Sequence, residues 1–238
     1  MNQLATALGF GGAQPYRLTA DDYFRIIIAG GFGDAHVELV DGELIESAPF
    51  PPEFEAVAHP ARGDRPYRIC ADDYLRMIDA GAFGDTHVEL VDGVLIAMPP
   101  ANTRHGRLMI VLATLLENAY AGTGYQLFGD IITRFDDSNI RAPDLAVVDG
   151  DIGERLNLVP GDILLAVEIA HSSLPVDLGR KRIDYASAGI RHYWVVDVDG
   201  RRVHTYTDPQ GADYAAIRVF AFGDAVPVPG AEGVITVS

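Results

Sequence analysis

The chain predicts a mixed α/β fold, and three observations support this. Its predicted elements run helix, two strands, helix, three strands, helix, two strands, an interleaved order typical of a sheet covered by helices. Short apolar runs of strand length alternate with segments of helical periodicity. The composition, 48% hydrophobic and 22% charged over 238 residues, provides enough apolar surface for a core.

The N-terminal part of the chain contains an internal repeat. Residues 16–49 and 67–100 start 51 positions apart and are identical at about two thirds of the aligned positions. Only the second copy continues directly into the remaining elements. We therefore predict an N-terminal appendage over 1–66, which holds the first copy and a linker, and a main domain over 67–238.

Each copy predicts a short helix followed by a hairpin. Thr19 is a suitable N-cap for the first helix, with Asp22 three residues on, and Gly30 ends that helix. The strands of each hairpin flank an Asp-Gly pair, which is typical of a type I′ turn.

The remainder of the chain predicts one long helix, several strands and a second helix. An apolar stripe predicts the long helix over 104–120. The segments that follow are a strand (125–135), a turn (136–139), a strand (140–150), a short helix (153–157), an apolar strand (161–170), a helix (176–189), a hairpin (192–208) and one or two weak strands in the tail.

The composition disfavours several classes of protein. A single cysteine, Cys70, excludes an internal disulfide and a cysteine-based zinc site. The longest apolar run, 108–116, is too short to span a bilayer, and the N-terminus lacks the features of a signal peptide. We therefore expect a cytoplasmic protein without a membrane partner. The net charge of −16 argues against tight non-specific binding of nucleic acid.

Two acidic residues on consecutive predicted strands are candidate metal ligands. Glu168 lies within an apolar strand, where a carboxylate is costly unless it is paired or binds a metal. Asp144 begins the preceding strand after Pro143. If these strands are neighbours, the two carboxylates converge and suit Mg²⁺ or Mn²⁺. A solvent-facing Glu168 and a turn-capping Asp144 are the alternatives.

Lys181 is the only lysine among the 18 basic residues. It shares one face of a predicted helix with Asp177 and Tyr185, at spacings of four residues. If that helix covers the strand ends, Lys181 reaches the carboxylates and stabilises a phosphate transition state or orients a water. An exposed lysine paired with Asp177 is the alternative.

Two further candidates flank this group. Glu89 lies in a short strand of the second copy and is a possible additional ligand, or an ordinary exposed strand residue. His105 begins the long helix between Arg104 and Arg107, where a phosphate contact or a surface capping role is possible.

The chain from about residue 67 to 210 resembles the Uma-two family of restriction endonucleases, within the PD-(D/E)XK nuclease superfamily. The resemblance rests on six segments in order: ELVDG (89–93), RHG (104–106), APDLAVV (142–148), VEI (167–169), DLGRKRIDYASAGI (177–190) and YWVVD (193–197).

The resemblance implies a restriction-endonuclease-like fold, with a mixed central sheet flanked by helices, and a metal-dependent endonuclease that hydrolyses phosphodiester bonds in DNA. It implies that Asp144, Glu168, the Ile169 carbonyl and Glu89 hold Mg²⁺ or Mn²⁺. Lys181 matches a catalytic lysine on the following helix, since Ala170 occupies the usual superfamily lysine position.

Basic and aromatic residues beside these motifs are candidate substrate contacts. They are His105, Arg104, Arg107, Arg180 and Tyr185, and in addition Arg141 and Arg182. One departure from the family pattern is His171-Ser172, where Ser-Pro is usual. A homodimer is expected because enzymes that cut both strands commonly act in pairs.

Two other functions stay open at this point. The acidic charge and the partial duplication favour a non-catalytic, nuclease-like module that binds protein. A metal-dependent hydrolase of a small phosphorylated substrate would need no basic groove.

Overall fold

The computed structural model describes residues 14–33, 35–46 and 65–238, which form two compact units. The hairpin unit comprises Gln14–Met98 and Asp136–Asn139, within those described ranges, and the sheet unit comprises Pro99–Phe135 and Ile140–Ser238. The predicted linker (50–66) lies outside the described residues except for its last two positions. The predicted domain boundary at residues 66/67 stays a prediction.

The hairpin unit holds both copies of the repeat. Its elements are β1 (Gln14–Pro15), α1 (Ala20–Ile28), β2 (Val37–Val40), β3 (Glu43–Glu46), β4 (Arg65–Pro66), α2 (Ala71–Asp79), β5 (Val88–Val91) and β6 (Val94–Ala97). Strands β2, β3 and β4 form one antiparallel sheet, and in another β6 pairs with β1 on one side and with β5 on the other.

Local sequence explains these elements. Thr19 caps α1, accepting a hydrogen bond from the Asp22 N–H (3.2 Å), while the Asp22 carboxylate accepts one from the Thr19 N–H (2.8 Å). Both Asp-Gly turns have positive φ at each residue, 50° and 80° at Asp41-Gly42 and 48° and 74° at Asp92-Gly93. Two positive φ values define the predicted type I′ turn.

The two copies repeat the same helix-to-hairpin contact. The Tyr23 hydroxyl donates to the Val37 carbonyl (2.7 Å), and the Tyr74 hydroxyl donates to the Val88 carbonyl (2.5 Å). Since Tyr23 and Tyr74 are equivalent in the repeat, the duplicated sequence folds in the same way twice.

The sheet unit is built on a six-stranded sheet. Its elements are α3 (Thr103–Tyr120), β7 (Tyr125–Gly129), β8 (Thr133–Arg134), β9 (Ile140–Arg141), β10 (Leu145–Asp149), a 3₁₀ turn (Pro160–Asp162), β11 (Ile163–Ala170), α4 (Leu174–Val176), a π-helical turn (Asp177–Lys181), α5 (Arg182–Ser187), β12 (His192–Asp197), β13 (Arg202–Gln210), β14 (Asp213–Ala221), β15 (Val226–Pro227) and β16 (Val234–Ile235). The strand order is β14-β13-β12-β11-β10-β7, and only the β11–β12 pair is parallel.

Each face of this sheet packs on a different helix. Alternate residues, such as Val167 and Trp194, form a core with Leu112 and Leu116 of α3. The intervening residues, such as Ala166 and Tyr193, pack with Tyr185 of α5. We call the continuous helical run of α4, the π-helical turn and α5 (174–187) the site helix.

This mixed sheet with helices on both faces confirms the predicted fold class, but several element bounds differ. The strand predicted over 125–135 is divided into β7 and β8 near Asp130, which has a φ of 53°. The strand predicted over 140–150 is divided into β9 and β10 around Pro143, whose ring nitrogen has no hydrogen to donate to a ladder. The helix predicted near 153–157 does not form in those residues, all of which the structure describes. The next helical element is the 3₁₀ turn over Pro160–Asp162. The tail contains a nine-residue strand, β14, where weak strands were predicted.

Across the described residues, no helix is both long and apolar enough to cross a membrane.

Candidate active site

Two neighbouring strands bring Asp144 and Glu168 together. Strands β10 and β11 are antiparallel, with Leu145 opposite Val167, so the next pair in this register is Asp144 and Glu168. Residues directly opposite in an antiparallel pair have Cβ atoms about 5 Å apart. The structure thus confirms the predicted neighbouring strands and places both acids at one end of β10.

Each carboxylate oxygen of Asp144 has a contact within the protein. Its Oδ1 lies 3.0 Å from Nε2 of His105, at the N-terminus of α3. Its Oδ2 accepts a 2.6 Å hydrogen bond from the N–H of Ile169, in the neighbouring strand. The hydrogen bond to Asp144 raises the pKa of His105 above its ordinary value. The predicted phosphate contact of His105 is not tested, but the residue contributes to the position of Asp144.

Glu168 is buried, with 4% of its surface exposed. Its Oε1 accepts hydrogen bonds from Lys181 Nζ (3.0 Å) and from the Tyr185 hydroxyl (2.8 Å), both on the site helix. Lys181 is 3% exposed and also lies 4.0 Å from Oδ1 of Asp177. The site helix therefore covers the strand end, as the spacing of Asp177, Lys181 and Tyr185 predicts.

The site helix carries a π-helical turn over Asp177–Lys181. Such turns are rare and occur often at functional sites. Below it, the Tyr185 ring stacks on Tyr193, with ring centres 4.6 Å apart and planes 13° apart. Tyr185 is fully buried, so its hydroxyl contacts Glu168 while its ring anchors the helix to β12. Its predicted substrate contact stays a prediction.

Metal binding by Asp144 and Glu168 stays a prediction, and their donor set can be compared with that of a hydrated magnesium ion. Among the described residues, no group of three or more His, Cys, Asp or Glu side chains is arranged to hold a metal. Mg²⁺ commonly binds one or two carboxylates and fills its remaining positions with water or substrate phosphate. Asp144 and Glu168 are two hard oxygen donors on adjacent strands, and that is the set such a site requires.

Glu89 lies in the hairpin unit, on β5, and is 4% exposed. Its duplicate, Glu38, is exposed on β2. The two equivalent glutamates of the repeat therefore differ in burial, although their local sequence is identical. Metal ligation by Glu89, or by the Ile169 carbonyl, stays a prediction.

The predicted phosphate-binding arginines lie in different environments. Arg107 is exposed, and Arg104 is exposed and 3.4 Å from Asp199. Arg180 donates to Asp184 (2.7 Å) and is partly exposed. Arg141 is fully buried and donates to the other oxygen of Asp184. The expectation that Arg141 contacts phosphate is therefore wrong, because its guanidinium has no access to solvent.

Sequence reasoning missed Asp184 and Tyr193, which support the site helix. The spacing of four between Arg180 and Asp184 is a signal for the first. No local signal pairs Asp184 with Arg141, because 43 residues separate them.

Comparison with known proteins concerns the family and the fold of the chain. A model of the Uma2 family, described as "Putative restriction endonuclease", matches residues 71–237. One solved structure, "a putative nuclease belonging to DUF820 from Anabaena variabilis ATCC 29413", is similar with a TM-score of 0.50 and 20% identity over 60% of this chain and 81% of that one. At this identity the similarity concerns the fold. No curated protein matches the chain.

Proposed function

The chain belongs to the Uma2 family of restriction-endonuclease-like proteins, and on that premise we propose that it is a magnesium-dependent endonuclease. The reaction is hydrolysis of a phosphodiester bond in DNA, with Mn²⁺ as an alternative metal. Asp144 and Glu168 hold the metal, and Lys181 is the catalytic cation.

One observation carries the proposal. The only lysine of the chain is buried and donates to Glu168, on the strand next to Asp144. A purely structural role would be served as well by an apolar residue, because replacing a buried ion pair with well-packed apolar side chains is often neutral or stabilising. Retention of two acids and one lysine at a strand end therefore supports chemistry at this position.

When bound, the metal supplies Lewis-acid polarisation of the phosphate and lowers the pKa of a coordinated water. The other contributions to the reaction come from side chains of the protein. Lys181 has three N–H donors, and one contacts Glu168 (3.0 Å). Its positive charge would stabilise the negative charge that develops on a phosphate bound beside Glu168. Tyr185 fixes the rotamer of Glu168 through Oε1. His105 does the same for Asp144 through Oδ1.

The charge of the chain sets a condition on the DNA contact. With a net charge of −16, binding must come from local groups and from the metal instead of the overall field. Arg104 and Arg107 are exposed within the first two turns of α3, the helix that carries His105. We propose that these two arginines contact backbone phosphates.

The test is cleavage of supercoiled plasmid in Mg²⁺ or Mn²⁺, with Lys181→Ala and Glu168→Gln beside the native chain. Arg202→Gln is the matched control, because Arg202 is exposed on β13 and has no role in the site. We expect cutting by the native chain and the control, and at least a hundred-fold slower cutting by both site variants. Cutting that survives both site substitutions would refute the assignment.

A second candidate is hydrolysis of a small phosphorylated substrate, which the net charge of −16 favours. The same proteins are assayed against bis-(4-nitrophenyl) phosphate and against plasmid. Metal-dependent turnover of the small diester together with an intact plasmid would favour this candidate. Inactivity towards both would leave the non-catalytic module as the better account.

The proposal further includes a cytoplasmic location and a homodimer, since nucleases that cut both strands commonly act in pairs. Light scattering at the assay concentration tests it, with twice the monomer mass of 25.6 kDa as the expected result. A monomer that cuts both strands in one binding event would contradict the dimer.

A further inference from the structure

A cleft of about 310 Å³ lies on the sheet, on the face opposite to Glu168. Its floor comes from three adjacent strands, with His192 and Trp194 on β12, Thr207 on β13 and Arg218 on β14. Glu168 belongs to the other face, since its neighbours Ala166 and Ala170 pack with Tyr185. The cleft is therefore separate from the candidate active site.

The charge of the cleft has one sign. Arg218 is the only ionised side chain that lines it, and no Asp or Glu is among the lining residues, although the chain carries 34 acidic residues. Within the described ranges, the Arg218 guanidinium has no ion-pair partner. Arg218 is exposed, so its cation is available to a negatively charged group that enters this cleft.

Two polar side chains, those of His192 and Thr207, line the cleft. Nδ1 of His192 is buried and has no hydrogen-bond partner among the described residues. A buried polar atom without a partner is uncommon and costs stability. Burial lowers the pKa of His192 and so favours the neutral ring. The Thr207 hydroxyl lines the same space, whereas that of Thr205 donates to the Arg218 carbonyl (3.4 Å).

The other walls are apolar and partly planar. Phe220 continues β14 beyond Arg218, and Pro227 and Pro229 form the opposite side. Trp194 forms part of the floor and is 1% exposed. The volume is at the lower end for ligand clefts, so a planar group of one or two rings fits between the aromatic and proline surfaces.

From these features we infer that the cleft binds a small planar anion, with its phosphate or carboxylate on Arg218 and a polar atom near His192 and Thr207. The ring system packs on Phe220 and on the proline side of the cleft, next to the buried Trp194. This site goes beyond the proposed nuclease activity and does not depend on it.

The single tryptophan of the chain makes the inference directly measurable. With ¹⁵N-labelled full-length protein, the indole N–H signal of Trp194 is the only one of its kind. The probes are 1-naphthyl phosphate, 1-naphthoate and the neutral 1-naphthamide. We expect both anions to shift this signal saturably and 1-naphthamide to bind at least ten-fold more weakly, and the stronger anion identifies the acidic group of the ligand.

Two variants and one control complete the test. Arg218→Gln should reduce the affinity for the anions about ten-fold, the effect of losing one charge-assisted contact, and leave 1-naphthamide unchanged. The Ala216→Phe variant fills the cleft from β14 and should abolish binding of all three probes. The control is Arg202→Gln, which lies on the other face of β13 and should leave binding of every probe unchanged. An unshifted Trp194 signal at millimolar anion, equal binding of the neutral probe, or an unchanged anion affinity in Arg218→Gln would each overturn the inference.

Discussion

Replacing Lys181 with methionine tests the electrostatics of the candidate site most simply. Methionine keeps much of the side-chain volume but removes the cation. Lys181 is 3% exposed, Glu168 4% and Asp177 1%. The variant therefore leaves two buried acids without the ammonium that lies 3.0 Å from one and 4.0 Å from the other.

The expected cost follows from the burial of this group. Breaking a buried ion pair by removing one partner costs about 3–5 kcal/mol, because a buried charge is left uncompensated. The Tyr185 hydroxyl still donates to Glu168 in the variant, so we expect the lower end, about 3 kcal/mol. With a urea dependence of about 2–3 kcal/mol per M, the unfolding midpoint falls by about 1–1.5 M.

Urea unfolding followed by Trp194 emission at pH 7, without divalent metal, measures this change. Trp194 lies in the core of the sheet unit, so its emission reports the unit that contains the site. The double variant Lys181→Met/Glu168→Gln should lose less than the sum of the two single variants, by about 2 kcal/mol, because they share one interaction. Arg107→Met, at an exposed position, is the control. If Lys181→Met unfolds within 0.5 kcal/mol of that control and shows no coupling to Glu168→Gln, the reasoning is wrong.

Three further predictions concern neighbouring contacts. The Lys181→Arg variant should also be less stable and cleave more slowly, because the larger planar guanidinium does not fit the buried space of an ammonium. Native-like stability together with retained cutting would refute this prediction. His105→Ala should weaken Mn²⁺ binding about 10–100-fold, the usual effect of losing a partner of a metal ligand, as measured by calorimetry, and unchanged affinity would show that His105 does not position Asp144. Arg141→Met should cost about 3 kcal/mol in urea unfolding, since it removes the buried partner of Asp184, whereas a loss below 1 kcal/mol would mean that Arg180 alone balances that carboxylate.

Much of the candidate site is predictable from sequence because its geometry is local. Asp144 and Glu168 lie on consecutive strands, and consecutive strands are usually neighbours in space. Lys181 follows the Glu168 strand after one turn, so the helix that carries it returns over the same strand end. Periodicity then places Tyr185 on the same face. These residues therefore meet through short connections.

The features that sequence did not predict depend on contacts made far along the chain. From its local sequence, Arg141 is expected to be a surface arginine beside a motif. Its burial depends on the contact with Asp184, which is 43 residues away. The sequence Val-Glu-Leu-Val occurs twice, yet Glu89 is buried and Glu38 is exposed. Identical local sequence cannot distinguish the two, because tertiary packing decides which face of a short strand is covered.

Anomalous diffraction from crystals grown with Mn²⁺ tests the central claim most directly. If Asp144 and Glu168 form a metal site beside Lys181, one anomalous peak should lie about 2.1 Å from a carboxylate oxygen of each acid, with water completing the coordination. Asp144→Asn crystals grown in the same way should lack that peak. Peaks only elsewhere, or no peak at saturating Mn²⁺ with the Lys181–Glu168 contact unchanged, would contradict the account.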